Sequence, residues 1–188
     1  MKTLIAYYSF THNNEKLAIE LQKKLNCDLM EIEERRKRTA VTIVLDLLFN
    51  RTPSIKASPL SLKDYGHVIV IAPVWAAKIG SPLKSFLIAE KNNINRYSFL
   101  SVCSGVAGQK EKIFRQLTAL AGKEPDNVTE LWINDFLPEE KKNTIRYATG
   151  YRVERKDLKA LDPKINAFLD AIGAHYSRGP EVMHEYGD

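Results

Sequence analysis

Five short apolar runs punctuate the chain, and helical patterns fill the gaps between them. Leu4-Ile5-Ala6-Tyr7-Tyr8 is apolar at successive positions rather than alternate ones. That is the pattern of a strand covered on both faces, as in a parallel sheet flanked by helices. Residues 28–33, 68–72, 97–103 and 128–133 read as four more strands, with 68–72 the clearest. Between them, residues 15–25 place Leu17, Ala18, Leu21 and Leu25 on one helical face. Residues 81–89 read as a helix with Ser81 as its cap and Pro82 at its first position. Residues 109–121 form another, closed by Gly122. A last helix is expected over 161–176, capped by Asp162 and followed at once by Pro163.

Strand and helix thus alternate, which predicts an α/β domain with a parallel sheet. Right-handed crossovers then put helices on both faces. One domain over residues 1–176 accounts for the pattern, with an insertion at about 34–62 and a polar, loose tail over 177–188. The insertion holds a basic run, Arg35-Arg36-Lys37-Arg38, and then an apolar stretch, 41–49. It has two readings. Either the stretch is a helix packed over the sheet or over a ligand bound at its edge, with its arginines in water, or it docks on an anionic membrane or a partner. Residues 137–159 are charged and match no element.

Composition narrows the class. The 188 residues are 44% hydrophobic and 27% charged, an ordinary globular balance that excludes a disordered or fibrous chain. A chain of this length buries enough surface to need no disulfide or metal. Its 28 basic and 23 acidic residues leave a net charge of +5, which suits an anionic ligand without calling for nucleic acid. Cys27 and Cys103 lie far apart without zinc-type spacing, and read as reduced thiols of a cytoplasmic protein. The N-terminal apolar stretch is too short and too quickly polar for a signal peptide. No run reaches the roughly 20 apolar residues of a transmembrane span. Of the histidines, His67, His175 and His184 are expected on the surface or in caps, and His12 is set apart.

Ligands of open parallel sheets bind beyond the carboxyl ends of the strands. Three turns there carry the candidate chemistry. The first, Ser9-Phe10-Thr11-His12-Asn13-Asn14, is rich in hydroxyls and amides and runs straight into a helix. Its end is a seat for phosphate, or Thr11 or Asn13 simply caps the helix. It is neither a Walker loop nor a GxGxxG turn. The second, Pro73-Val74-Trp75-Ala76-Ala77-Lys78, places a Trp that either stacks on a planar ring or belongs to the core. The third, Cys103-Ser104-Gly105-Val106-Ala107-Gly108, has small residues that let backbone amides approach a ligand.

Taken together, the three turns resemble those of the flavodoxin-like FMN-binding family, over residues 1–133 and the closing helix. The resemblance implies a three-layer sandwich with a five-stranded parallel sheet and helices on both faces. It implies that Ser9, Phe10, Thr11, His12, Asn13 and Asn14 hold the FMN phosphate. Pro73, Val74, Trp75, Ala76, Ala77 and Lys78 would flank the isoalloxazine, and Cys103, Ser104, Gly105 and Gly108 would cover its other side. His12 stands where the family has Gly, and Asn14 where it has Thr. His tolerates a left-handed backbone better than most residues, and a cationic His12 would pair with phosphate. Lys78 either lies near the ring and would raise the flavin potential, or is a solvated loop residue.

The implied activity is electron transfer or FMN-dependent oxidoreduction. Its partners would be a redox protein, or NAD(P)H with a small-molecule acceptor such as a quinone. A homodimer and peripheral membrane contact both fit, and nucleic acid does not. The rival reading is a module of this fold that has lost FMN and serves in binding or regulation. A phosphoacceptor domain is excluded, because no acidic pair follows the first strand.

Overall fold

The computed structural model describes residues 2–177. In chain order the strands are β1 (Thr3–Tyr7), β2 (Asp28–Glu31), β3 (His67–Ile71), β4 (Val74–Trp75), β5 (Lys78–Ile79), β6 (Tyr97–Cys103) and β7 (Val128–Trp132). The helices are α1 (Asn13–Leu25), α2 (Ala40–Phe49), α3 (Ser81–Glu90), α4 (Gln109–Ala121), α5 (Ile145–Gly150) and α6 (Arg155–Ala171). Five strands form one parallel sheet in the order β2-β1-β3-β6-β7, and β4 and β5 make a separate antiparallel hairpin.

The unbroken apolar run of β1 now has its reason. Successive side chains of a strand point to opposite faces. Leu4 and Ala6 enter one apolar layer with Val68, Val70, Leu83, Leu87, Ile113 and Leu117. Ile5 and Tyr7 enter the other with Leu17, Leu21, Ile69, Leu161 and Ile165. Helices α3 and α4 therefore cover one face, and α1 and α6 the other. The chain leaves β1 toward β2 and returns past it to β3. The winding reverses between β1 and β3, and that crevice is where such sheets take ligands.

Several elements depart from expectation, each for a local reason. Helix α3 is capped by Gly80, so Ser81 is its first residue rather than its cap. The Ser81 hydroxyl instead donates to Asp46 Oδ2 at 2.8 Å. Helix α6 starts at Arg155, not after Asp162, and carries Pro163 inside it. Asp157 Oδ2 accepts from the Glu154 amide at 2.8 Å and fixes that earlier start. Lys159 and Pro163 are both exposed, so water can serve the carbonyl that Pro163 cannot. His67 is buried rather than on the surface, with Nε2 3.0 Å from Ser98 Oγ. The unassigned 137–159 stretch holds α5 and short 3-10 turns. His184 and all but the first residue of the expected tail lie outside the described residues.

An antiparallel bridge between Glu34 and Ile55 closes the insertion on itself, and polar contacts of α2 hold it to the body. Arg38 is not a solvated arginine. Its side chain is buried, with Nε and Nη2 on Glu34 at 2.7 and 2.6 Å and Nη1 on Asp46 at 2.8 Å.

Candidate functional site

The first turn combines a strained residue, an orphaned hydroxyl and an uncapped helix. Ser9, just past β1, has a buried Oγ with no hydrogen-bond partner among the described residues. His12 precedes α1 at φ 63°, in the left-handed region where a β-carbon is crowded. The His12 side chain does not cap α1, so the amides of its first turn lack partners within the helix. These donors and the positive end of the helix dipole make the turn attractive to an anion.

Asn13 and Asn14 turn inward from this point. Asn14 Oδ1 accepts from the Val102 amide at 2.8 Å, and its Nδ2 donates to the Val102 carbonyl at 3.1 Å. Asn13 does the same with Val153 N and Tyr151 O, both at 3.0 Å. Their side chains bolt the start of α1 to β6 and to the 151–153 segment. What they can offer an anion is backbone amide, not side-chain amide. His12 Nδ1 lies 2.5 Å from Glu15 Oε2, so the imidazole already faces a carboxylate. Thr11 is half-buried, and Phe10 is exposed and edge-on to Trp75, with centroids 6.4 Å apart.

The second turn is a strained hairpin. Ala76 and Ala77 sit at φ 49° and 57° between β4 and β5. A two-residue turn with both residues left-handed ordinarily takes Asn-Gly. Gln116 on α4 braces it, donating to the Ala77 carbonyl at 2.9 Å and accepting from the Ile79 amide at 3.3 Å. Pro73 starts the turn, and its carbonyl accepts from Gly80 N at 2.8 Å. Val74 is buried in the core. Trp75 is wedged between Tyr8, edge-on at 6.2 Å, and Phe10, with the Arg38 guanidinium 5.6 Å from its ring centre. Lys78 points elsewhere: its Nζ donates to the Leu47 carbonyl at 3.0 Å. The cation beside the site's Trp is therefore Arg38, contributed by the insertion.

The third turn is held from behind. Asn134 donates from its backbone to Ser104 O at 3.2 Å and from Nδ2 to Gly105 O at 2.9 Å. Gly105, at φ 84°, packs so tightly on Trp132 that a β-carbon would lie 2.4 Å from the ring. Gly108 is the left-handed residue before α4. Burial pushes the Cys103 thiol up to about 12, so it is neutral and unreactive near pH 7. Tyr8 is likewise held protonated by burial and by Glu34, to which its hydroxyl donates at 3.1 Å.

Contacts between Phe10 and Trp75, and between Asn14 and Val102, bring the first turn against the second and against the end of β6. Two cavities lie apart from this crevice. One of 340 Å³ opens at the amino ends of the strands beside Lys2, Asp28 and His67. One of 220 Å³ lies behind the hairpin, between Asp46, Lys78, Lys84 and Gln116. Sequence reasoning does not single out Arg38, Gln116 or Asn134 for the site. Only the basic run around Arg38 gives any signal.

The order of the five sheet strands, with the crevice between β1 and β3, defines the flavodoxin-like α/β fold. Solved structures agree. A flavoprotein from Lactobacillus acidophilus NCFM in complex with FMN matches at a TM-score of 0.60 and 20% identity, over 69% of this chain and 92% of that one. A candidate flavoprotein from Bacteroides eggerthii matches at 0.66 and 16% identity, over 93% and 99%. The flavodoxin, WrbA-like protein from Agrobacterium tumefaciens matches at 0.51 and 14% identity, over 93% and 99%. No family model and no curated protein matches the chain.

Proposed function

We propose that this chain binds FMN at the β1–β3 crevice and acts in electron transfer or FMN-dependent oxidoreduction. The carrying observation is Ser9 Oγ, buried and unpartnered among the described residues, in the turn that enters an uncapped helix. A buried hydroxyl without a partner is costly, and a phosphate oxygen would satisfy it. The Ser9 hydroxyl and the first amides of α1 would hold the phosphate, and the side chains of Asn13 and Asn14 would keep those amides in place. Trp75, Ala76, Ala77 and Gly105 would border the ring. Flavin, when bound, supplies the redox chemistry, and the protein positions and tunes it. Lys78 points away from the ring side and Arg38 beside Trp75 is neutralised by Glu34 and Asp46, so neither supplies the free cation that would raise the flavin potential. A structure similar to this chain is an FMN complex, which supports the reading.

The His12–Glu15 pair favours a second reading, a module of this fold without flavin, because the Glu15 carboxylate lies at the phosphate's end of α1. One titration separates the two. Added FMN should change its fluorescence and absorption on binding, Ser9→Ala should weaken binding, and Glu15→Gln should strengthen it. Unaltered flavin spectra with protein in excess would leave the second reading standing. If flavin binds, NADH and NADPH oxidation with a quinone acceptor tests for a reductase.

A further inference from the structure

Helix α2 is docked inside out. Its residues Ala40–Phe49 are all apolar except Thr42 and Asp46, yet none is fully buried. Its one carboxylate, Asp46, points inward and bonds Arg38 and Ser81. Its terminal carbonyls point inward too: Lys78 Nζ donates to Leu47 O at 3.0 Å and Lys84 Nζ to Asn50 O at 2.9 Å. Ile43, Leu45 and Leu47 are half-buried, and four other apolar side chains are left in water. Val41 is 67% exposed, Val44 53%, Leu48 72% and Phe49 69%. Spacings of three, four and one residues put these four on one continuous stripe.

Charge frames the stripe. Arg35, Arg36 and Lys37 are exposed just before the helix, and Arg51, also exposed, lies just after it with its Nε 4.0 Å from Asp46. The neighbouring carboxylates are spent: Glu33 pairs with Lys56 and Glu34 with Arg38. An apolar stripe with cations at both ends complements an anionic lipid surface, where apolar side chains enter the interface and cations meet the headgroups. A second copy suits it less. Two such helices packed antiparallel set Arg35, Arg36 and Lys37 of one against Arg51 of the other, and packed parallel they set the triplets together. Like charges meet in either case.

We infer that α2 and its basic flanks are a docking surface for anionic phospholipid membranes. The assignment is independent of flavin binding. The test is flotation of the full-length protein with vesicles of phosphatidylcholine alone or mixed with phosphatidylserine. Binding is expected to the mixed vesicles, not to phosphatidylcholine alone, and to weaken with added salt. Leu48→Gln/Phe49→Gln should lower partitioning roughly a hundredfold. Arg36→Gln/Lys37→Gln should lower it about tenfold. Thermal melts of both variants should match the parent, since these side chains are exposed. The proposal is overturned if the parent stays unbound, binds both vesicle types alike, or binds undiminished in the Leu48/Phe49 variant. Sedimentation equilibrium showing a dimer that this variant dissolves would assign the stripe to a second copy instead.

Discussion

Helices α1 and α2 both follow a strand of the same sheet, yet they are attached by opposite means. Helix α1 buries Leu17, Ala18 and Leu21 against the sheet and leaves Lys23 in water. Helix α2 is attached through Asp46, its C-terminal carbonyls and a buried arginine, and leaves valine, leucine and phenylalanine in water. The first arrangement is driven by apolar burial and serves the fold. The second needs paired charges to hold it, and it presents an apolar surface that the fold does not use. Stability and surface chemistry are thus separable in this molecule, helix by helix.

The sharpest way to break that contrast is to remove the ion pair under α2. Arg38→Ala would strand Glu34 and Asp46, both largely buried, beside Trp75. Losing one partner of a buried pair costs about 3–5 kcal/mol, so the urea midpoint should fall steeply. A midpoint within error of the parent would mean that α2 is held by something else.

Next in size is a paired comparison of leucines. Leu17→Ala on α1 should cost about 2–5 kcal/mol, because its side chain is wholly buried. Leu48→Ala on α2 should shift stability by no more than about 0.5 kcal/mol. Equal losses in chemical denaturation would erase the distinction between the helices.

The hairpin that carries Trp75 offers a gain. Ala76→Asn/Ala77→Gly replaces two left-handed alanines with the residues such a turn favours. Relief of the strain should add about 1–2 kcal/mol, read as a higher melting temperature. A drop would show that the alanine methyls make contacts worth more than the strain.

The smallest effect belongs to the far end of the sheet. Burial holds the His67 imidazole below its ordinary 6.5. The unfolded chain therefore takes up a proton near that pH that the folded chain refuses. Stability should be unaffected above it and should decline as pH falls below it, with the slope of at most one proton. His67→Gln should remove that component. An identical pH profile in the variant would place the acid sensitivity elsewhere.

Much of this can be read from the chain. Strand β6 and helix α4 fall where the apolar runs put them, because a doubly covered strand and an amphipathic helix leave local patterns. The last helix reads too late in the sequence because Pro163 resembles a first-turn proline, while the true start depends on Asp157 reaching back to Glu154. The three turns are legible as segments, but their side-chain tasks are not. Asn14 is joined to Val102 across 88 positions, and Asn13 to Val153 across 140. No local pattern reports a partner that distant.

The same division explains α2. Its composition shows an apolar helix beside a basic run, since propensity and hydrophobicity are properties of the residues themselves. Which side faces the protein is undetermined at that level, because a helix apolar nearly all round has no preferred inward face until something grips it. Arg38, just before the helix, and the single stretch that holds Lys78, Ser81 and Lys84, more than 30 positions further on, do so, and only the fold brings that stretch against α2.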